Sequence, residues 1–359
     1  MSVSAWFASD YAEARSKFIA AGEDAGASLA RYVNPAAGPD GIELTTDVAW
    51  LGPDDASRVL VTLSGTHGAE GFCGSGVQVG WFRSGRAAAL PADTALLQVH
   101  AVNPFGFAWL RRTTEENVDL NRNFVDFNAP LPVNAGYEQY RELICPSEWS
   151  DEIETSTTQT IVGHMTSLEP MVIQGAITSG QYVDPNGVFF GGQRPSWSRS
   201  TIEEIVDARL ARASRIAIID YHTGLGPYGY GERIGDGAPG DAHWDLAQEW
   251  WGDLTSHADG SSSSAPVTGT MLESLTRRLS HAAVAPVALE FGTQSFDKVL
   301  NAVRADNWLH AHGDLDSEQG RAIKARARAA FYQDADDWKQ MIWSRGLDTQ
   351  AIALDRLSR

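Results

Sequence analysis

The strongest constraint on how this chain folds is a set of short apolar segments set far apart along it. They are residues 58–64 (RVLVTLS), 95–102 (ALLQVHAV), 171–176 (MVIQGA), 215–221 (RIAIIDY) and 287–291 (VALEF). Each is a nearly continuous apolar run of strand length, the pattern of a strand buried on both faces. Such strands need helices on both sides. Helical periodicity occurs at residues 201–213 (TIEEIVDARLARA), at 317–342, and at 9–31, where Ser9 or Asp10 is placed to cap. Strands alternating with helices predict an α/β fold with a mixed, largely parallel sheet sandwiched between helices.

The chain has 359 residues, 43 % hydrophobic and 21 % charged, enough to bury a large core. No internal repeat is visible. The polar stretch 253–268, with its GSSSS run at 260–264, reads as a surface loop, because a core strand still follows it. One catalytic domain over residues 1–359 is the expectation. A formal net charge of −18 opposes binding to nucleic acid and to anionic membranes. The start shows no basic-then-apolar signal pattern, and no apolar run reaches the ~18 residues a membrane span needs. The chain is therefore expected to be cytoplasmic. Cys73 and Cys145, with no CxxC pair, fit a reducing compartment and exclude a thiolate zinc knuckle.

In an open α/β sheet, ligands bind beyond the carboxyl ends of the strands. The polar residues after each apolar segment are thus the candidates. The first segment runs into SGTHGAEGFCGSG, where His67 and Glu70 lie three apart among glycines. An imidazole and a carboxylate are normal zinc ligands, and glycine allows the tight turns that aim both at one point. The alternative is a capping Glu in a Gly-rich turn. The fourth segment ends in DYHTGLG. Asp220 and His222 share a strand face, so Asp220 is placed to fix the tautomer of a metal-bound His222; a His satisfied at a strand end is the bland alternative. The fifth segment embeds Glu290 among Val287, Ala288, Leu289 and Phe291. Burial raises a carboxyl toward the range useful for proton transfer, unless the side chain points to solvent.

The densest polar segment is NPFGFAWLRRTTEENVDLNRNF. It holds Arg111, Arg112, Asn117, Asp119, Asn121, Arg122 and Asn123. Arg presents a planar fork matched to carboxylates, with Asn as a neutral donor beside it and Asp119 able to brace a cation. Phe105, Phe107, Trp109 and Phe124 argue against a wholly solvated loop.

HxxE, NPxG…R…DxNRNF, DxH and a later Glu, in this order, resemble the zinc carboxypeptidase superfamily, which includes the aspartoacylase and succinylglutamate desuccinylase branch. The wording SGTHGAEGFCGSG, HAVNPFGFAWLRR, DLNRNF, DYHTGLGPYG and LEFGT is similar to its bacterial carboxypeptidase-like branch, over residues 64–293. The resemblance implies an eight-stranded mixed sheet and one zinc ion held by His67, Glu70 and His222, with an open position for water. It implies Glu290 as general base, and Asn121 and Arg122 as the grip on a substrate carboxylate. Arg111 or Arg112 would stabilise the oxyanion, and Arg112 is preferred. Tyr228 and Tyr230 follow His222 more closely than the mobile Tyr of peptidase members does. Residues 189–198 (FFGGQRPSWS) have no counterpart; Arg194 and Trp197 could line the pocket, cover it, or pack on the sheet edge.

The expected activity is hydrolysis of an amide in a small molecule or short peptide bearing a free carboxylate, with N-acyl amino acid deacylation as the alternative. A serine hydrolase needs a GxSxG elbow, and the nearest fragment, CGSGV at 73–77, lacks the outer glycines. A non-catalytic binding protein predicts a missing ligand or base, and none is missing.

Overall fold

The computed structural model describes residues 2–166, 175–237, 240–256, 259–264 and 266–359. The strands are β1 (Ser28–Ala37), β2 (Glu43–Leu51), β3 (Arg58–Leu63), β4 (Thr94–His100), β5 (Arg215–Tyr228), β6 (Gly231–Ile234), β7 (Leu254–Thr255) and β8 (Ala283–Gly292). They form one eight-stranded sheet in the order β1-β2-β4-β3-β5-β8-β6-β7. The central pairs β4–β3, β3–β5 and β5–β8 are parallel, as is β6–β7; β1–β2, β2–β4 and β6–β8 are antiparallel. The α/β fold with a mixed, largely parallel sheet is as expected.

Side-chain alternation divides the core between the two faces. On β5, Ala217, Ile219 and Tyr221 join one hydrophobic cluster, whereas Ile216 and Ile218 join the other. The first cluster is completed by the helices Tyr11–Asp24, Gly71–Arg83, Ala242–Trp251 and Asp336–Ser358, through residues such as Phe18, Trp81, Trp250 and Trp338. The second is completed by Trp197–Leu210 and Met271–Arg278, through Ile205, Val206, Met271 and Leu275. Asp220 and His222 continue the Ile216–Ile218 side of β5. Glu290 pairs in register with His222 and so continues the same side of β8. The strand period of two therefore keeps Glu290 out of the core occupied by Val287, Leu289 and Phe291.

Several boundaries differ from expectation. The first helix is Tyr11–Asp24, capped by Asp10, which accepts from Glu13 N. Gly26, at φ 76°, turns the chain, and residues 28–31 enter β1 instead of continuing the helix. Residues 317–342 form two helices, Glu318–Phe331 and Asp336–Ser358. The first ends where threonines from the carboxyl end of the central β5–β8 pair capture its carbonyls. Thr223 Oγ1 donates to Phe331 O at 2.7 Å, and Thr293 Oγ1 to Ala330 O at 2.6 Å. The strand expected at 171–176 lies outside the described residues over 171–174, and Gly175 and Ala176 are helical. The polar stretch 253–268 contributes the short strand β7. The strands without a continuous apolar run, β1, β2, β6 and β7, make up the two outer pairs of the sheet. Both cysteines are free. No helix among the described residues is long and apolar enough to cross a membrane.

Candidate metal centre and substrate cavity

β3 runs into a turn that begins at Gly65, φ 67°. The turn is stitched to the arginine segment: Gly68 N donates to Arg112 O at 3.2 Å and Ala69 N to Arg111 O at 2.9 Å. A Cβ on Gly68 would stand 2.0 Å from the backbone carbon of Gly106, so only glycine fits this approach. His67 and Glu70 then lead directly into the helix Gly71–Arg83.

His67, Glu70 and His222 are all buried, and their ligand atoms lie within 4.8 Å of one another. Glu70 sits between the two imidazoles: Oε1 is 2.9 Å from His67 Nδ1 and Oε2 is 3.1 Å from His222 Nδ1. Thr223 N donates to Oε2 at 3.0 Å. Burial alone would raise the Glu70 carboxyl. The charge and hydrogen bonds of His67 and His222 outweigh it and hold the group well below its ordinary value.

The outer ring nitrogens meet carboxylates. His222 Nε2 is 2.6 Å from Asp220 Oδ2, and Thr66 Oγ1 donates to Asp220 Oδ1 at 2.7 Å. His67 Nε2 is 3.4 Å from Asp119 Oδ1. An Nε2–H given to Asp220 turns the Nδ1 lone pair of His222 inward, a tautomer assigned from this partner, whereas His67 Nε2 lies 2.8 Å from Arg112 Nη2, which can only donate, so it accepts there and Nδ1–H of His67 points to Glu70. Two imidazoles and one carboxylate, with His222 backed by Asp220, are a donor set that fits zinc.

Glu290 stands beside His222 on the neighbouring strand and lines the same cavity. Leu225 N donates to its Oε1 at 2.9 Å. Burial, then the charge of Glu70, pushes the carboxyl up to about 8. The two arginines part company. Arg112 reaches the centre: its Nε is 2.7 Å from Asp119 Oδ2, Nη1 is 3.2 Å from Glu70 Oε1 and Nη2 is 2.8 Å from His67 Nε2. Arg111 turns the other way. It donates to Asn117 Oδ1 at 2.8 Å and faces Asp306 at 3.6 Å, and it does not line the main cavity.

That cavity, about 180 Å³, is bounded by His67, Glu70, Arg112, Asn121, Arg122 and Glu290 on its polar side. At about 15 Å³ per water by this measure, it has room for on the order of a dozen waters, the scale of a small ligand. Asn121 Oδ1 accepts from Met271 N at 3.0 Å, and its Nδ2 has no protein partner among the described residues. Arg122 is buried. It donates to the carbonyls of Thr178 and Asn121 and has no carboxylate within ion-pair distance among the described residues. Burial lowers its pKa from the ordinary arginine value.

Phe189, which sequence reasoning did not single out, stands between the two cavity arginines. The guanidinium carbons of Arg112 and Arg122 lie 5.4 and 5.6 Å from its ring centroid. Its φ of 53° is a backbone state that no sequence signal announces for Phe. The neighbouring candidates are elsewhere. Arg194 is exposed and pairs with Glu116 at 2.5 Å, while Trp197 opens the helix Trp197–Leu210, and neither lines the cavity. Tyr228 and Tyr230 are exposed and also outside it.

A family model described as a protein of unknown function, DUF2817, matches residues 7–345. No curated protein matches the sequence. Similar solved structures include carboxypeptidase A from Helicoverpa armigera, 13 % identical over 89 % of this chain and 73 % of that one, with a TM-score of 0.45. Bovine thrombin-activatable fibrinolysis inhibitor, solved with a tick carboxypeptidase inhibitor, is 11 % identical over 95 % and 98 %, with a TM-score of 0.46. An aspartoacylase family protein from Mesorhizobium loti is 14 % identical over 81 % and 68 %, with a TM-score of 0.40. At such identities and scores these likenesses say nothing about chemistry. The family match spans nearly the whole chain, and the protein belongs to the DUF2817 family.

Proposed function

We propose that this protein is a zinc-dependent hydrolase that cleaves an amide bond in a small substrate or short peptide bearing a free carboxylate. One observation carries the reading: three buried metal-type ligands, a carboxyl with a raised pKa and a buried arginine without an ion-paired acidic partner among the described residues border one cavity. His67, Glu70 and His222 would hold the ion. When bound, zinc supplies Lewis acidity, making water ionisable near neutral pH and drawing charge from a carbonyl.

The chain's own groups supply the rest. Arg122, stacked on Phe189, and the Nδ2 of Asn121 would bind the substrate carboxylate and set its distance from the metal. Glu290, whose ionised form the charge of a bound ion would favour, would accept a water proton at its Oε2, since Oε1 is held by Leu225 N, and return it to the leaving amine. Arg112, braced by Asp119, would donate to the oxygen that gains charge in the transition state.

The test combines elemental analysis with turnover. One zinc per chain is expected, with activity lost on chelation and restored by zinc. A panel of N-acyl amino acids and dipeptides distinguishes deacylase from carboxypeptidase, because both classes present the carboxylate. Bound zinc with no turnover of either class, or activity that survives complete chelation, would sink the reading.

A further inference from the structure

The helix Phe296–His312 turns an apolar stripe into the cavity. It follows β8 directly, so it begins a few residues beyond Glu290. Phe296, Val299, Leu300 and Val303 recur three and four apart, the spacing of one helix face, and all four line the cavity. No polar side chain of this helix does. Asn301 is engaged elsewhere, its Oδ1 accepting from Arg304 Nη1 at 2.9 Å and from Thr158 Oγ1 at 3.0 Å. Phe331, the last residue of the helix Glu318–Phe331, completes the wall. From Phe296 to Val303 the stripe runs on the order of 10 Å, at a helix's rise per residue.

The stripe borders the metal side of the cavity. Val299 and Phe331 share a buried cluster with Ala69, the residue between His67 and Glu70. Val303 and Phe331 also border a small void with Arg112. The chemistry of this wall decides what can lie against it. A peptide brings an amide N–H and C=O with every residue, and each one buried without a partner costs roughly tenfold in affinity. The nearby donors are engaged: Thr223 Oγ1 donates to Phe331 O, Thr293 Oγ1 to Ala330 O and Leu225 N to Glu290. A hydrocarbon chain needs no such partner and gains from the contact.

We propose that this stripe binds an aliphatic acyl chain, so that the preferred substrate is an N-acyl amino acid of medium chain length and not a peptide. This rests on the reading of the cavity as an amide hydrolase site. Arg122 and Asn121 take the carboxylate, the scissile carbonyl lies beside Arg112, and the chain beyond it packs on Val299, Leu300, Val303 and Phe331. Hydrolysis joins the water oxygen to the acyl carbon, breaks the C–N bond and delivers the water proton to the nitrogen. The products are a medium-chain carboxylic acid and the free amino acid.

The test is calorimetric binding to zinc-loaded Glu290→Gln protein, in which cleavage is slow. The ligands are leucine N-acylated with acetyl, butanoyl, hexanoyl, octanoyl or dodecanoyl chains. Gly-Gly-Leu is added as a peptide whose acyl part matches hexanoyl in length. Burying a methylene raises affinity about fourfold, so hexanoyl-leucine should bind about a hundredfold more tightly than acetyl-leucine. It should also bind more tightly than Gly-Gly-Leu, and the rise should level off by dodecanoyl, where the chain outruns the stripe. Val303→Phe and Val303→Ser are made in the same background and checked for folding by thermal melting. The first should move the plateau to a shorter chain, and the second should flatten the rise. Binding independent of chain length overturns the proposal, as does Gly-Gly-Leu binding at least as tightly as hexanoyl-leucine, an unchanged profile in either folded variant, or no binding by any ligand. Turnover by the wild type separates the two readings. Chain-length dependence in binding without cleavage of any amide refutes the hydrolase and leaves this assignment standing. Cleavage of acetyl-leucine and hexanoyl-leucine at equal kcat/KM does the reverse.

Discussion

Glu290→Gln should weaken catalysis and strengthen the metal-free fold at the same time. Gln keeps the shape, and its Oε1 can still accept from Leu225 N at 2.9 Å. It cannot take a proton. Loss of a general base costs about 10²–10⁴-fold in kcat, or roughly 3–5 kcal/mol of transition-state stabilisation, with KM little changed. The stability effect has the opposite sign. The folded carboxyl titrates at about 8 against an ordinary 4.5, so between those values the unfolded chain is ionised and the folded chain is not. Stability of the metal-free wild type therefore falls as pH rises from about 4.5 to 8. At pH 7 the accumulated difference is at most about 3 kcal/mol, less whatever partial solvent contact removes. The variant lacks this slope. Urea unfolding of chelated wild type and variant at pH 4.5, 6 and 7.5, beside kcat of the zinc-loaded forms, reads both effects. The reasoning is refuted if the variant keeps wild-type kcat, or if its stability gain fails to grow with pH.

Asp220→Ala leaves His222 Nε2 and Thr66 Oγ1 without the carboxylate they share at 2.6 and 2.7 Å. Zinc affinity, read by competition with a chromogenic chelator, should fall about 10–100-fold; an unchanged affinity in the folded variant contradicts the tautomer assignment. Arg122→Met should raise KM for carboxylate-bearing substrates about tenfold or more, with a smaller change in kcat, and leave amidated substrates unaffected. His100 is buried against Phe18 at 4.7 Å, and burial pushes its pKa down to about 4. Because its unfolded pKa is near 6.5, folding stability is full above that value and lost as pH falls toward 4, by about 2 kcal/mol between pH 7.5 and pH 5. Between the two pH values the wild type should lose about 2 kcal/mol relative to His100→Gln, the Glu290 slope being common to both and cancelling in the difference.

Some of this protein is written in short stretches of its sequence. The apolar runs at 58–64, 95–102, 215–221 and 287–291 mark four strands of the sheet, three of them the strands that carry the site, because a strand covered on both faces must be apolar throughout. His67 and Glu70 are local as well: three residues in a glycine-rich turn suffice to aim both. The strands β1, β2, β6 and β7 carried no such signal: β1 and β7 are the sheet's edges, where polar residues are tolerated, and the buried β2 and β6 carry charged residues, Asp47 and Arg233, that find partners only in the folded chain.

The tertiary structure decided what depends on distant segments meeting. His222 and Glu290 become neighbours only through the register of β5 against β8. Arg111 and Arg112 are equivalent as sequence; Asp119 and Glu70 draw one into the centre, and Asn117 and Asp306 hold the other away. Phe189 and Phe331 reach the cavity from segments with no motif, because a binding wall is selected for shape and charge at a point in space, not for spacing along the chain.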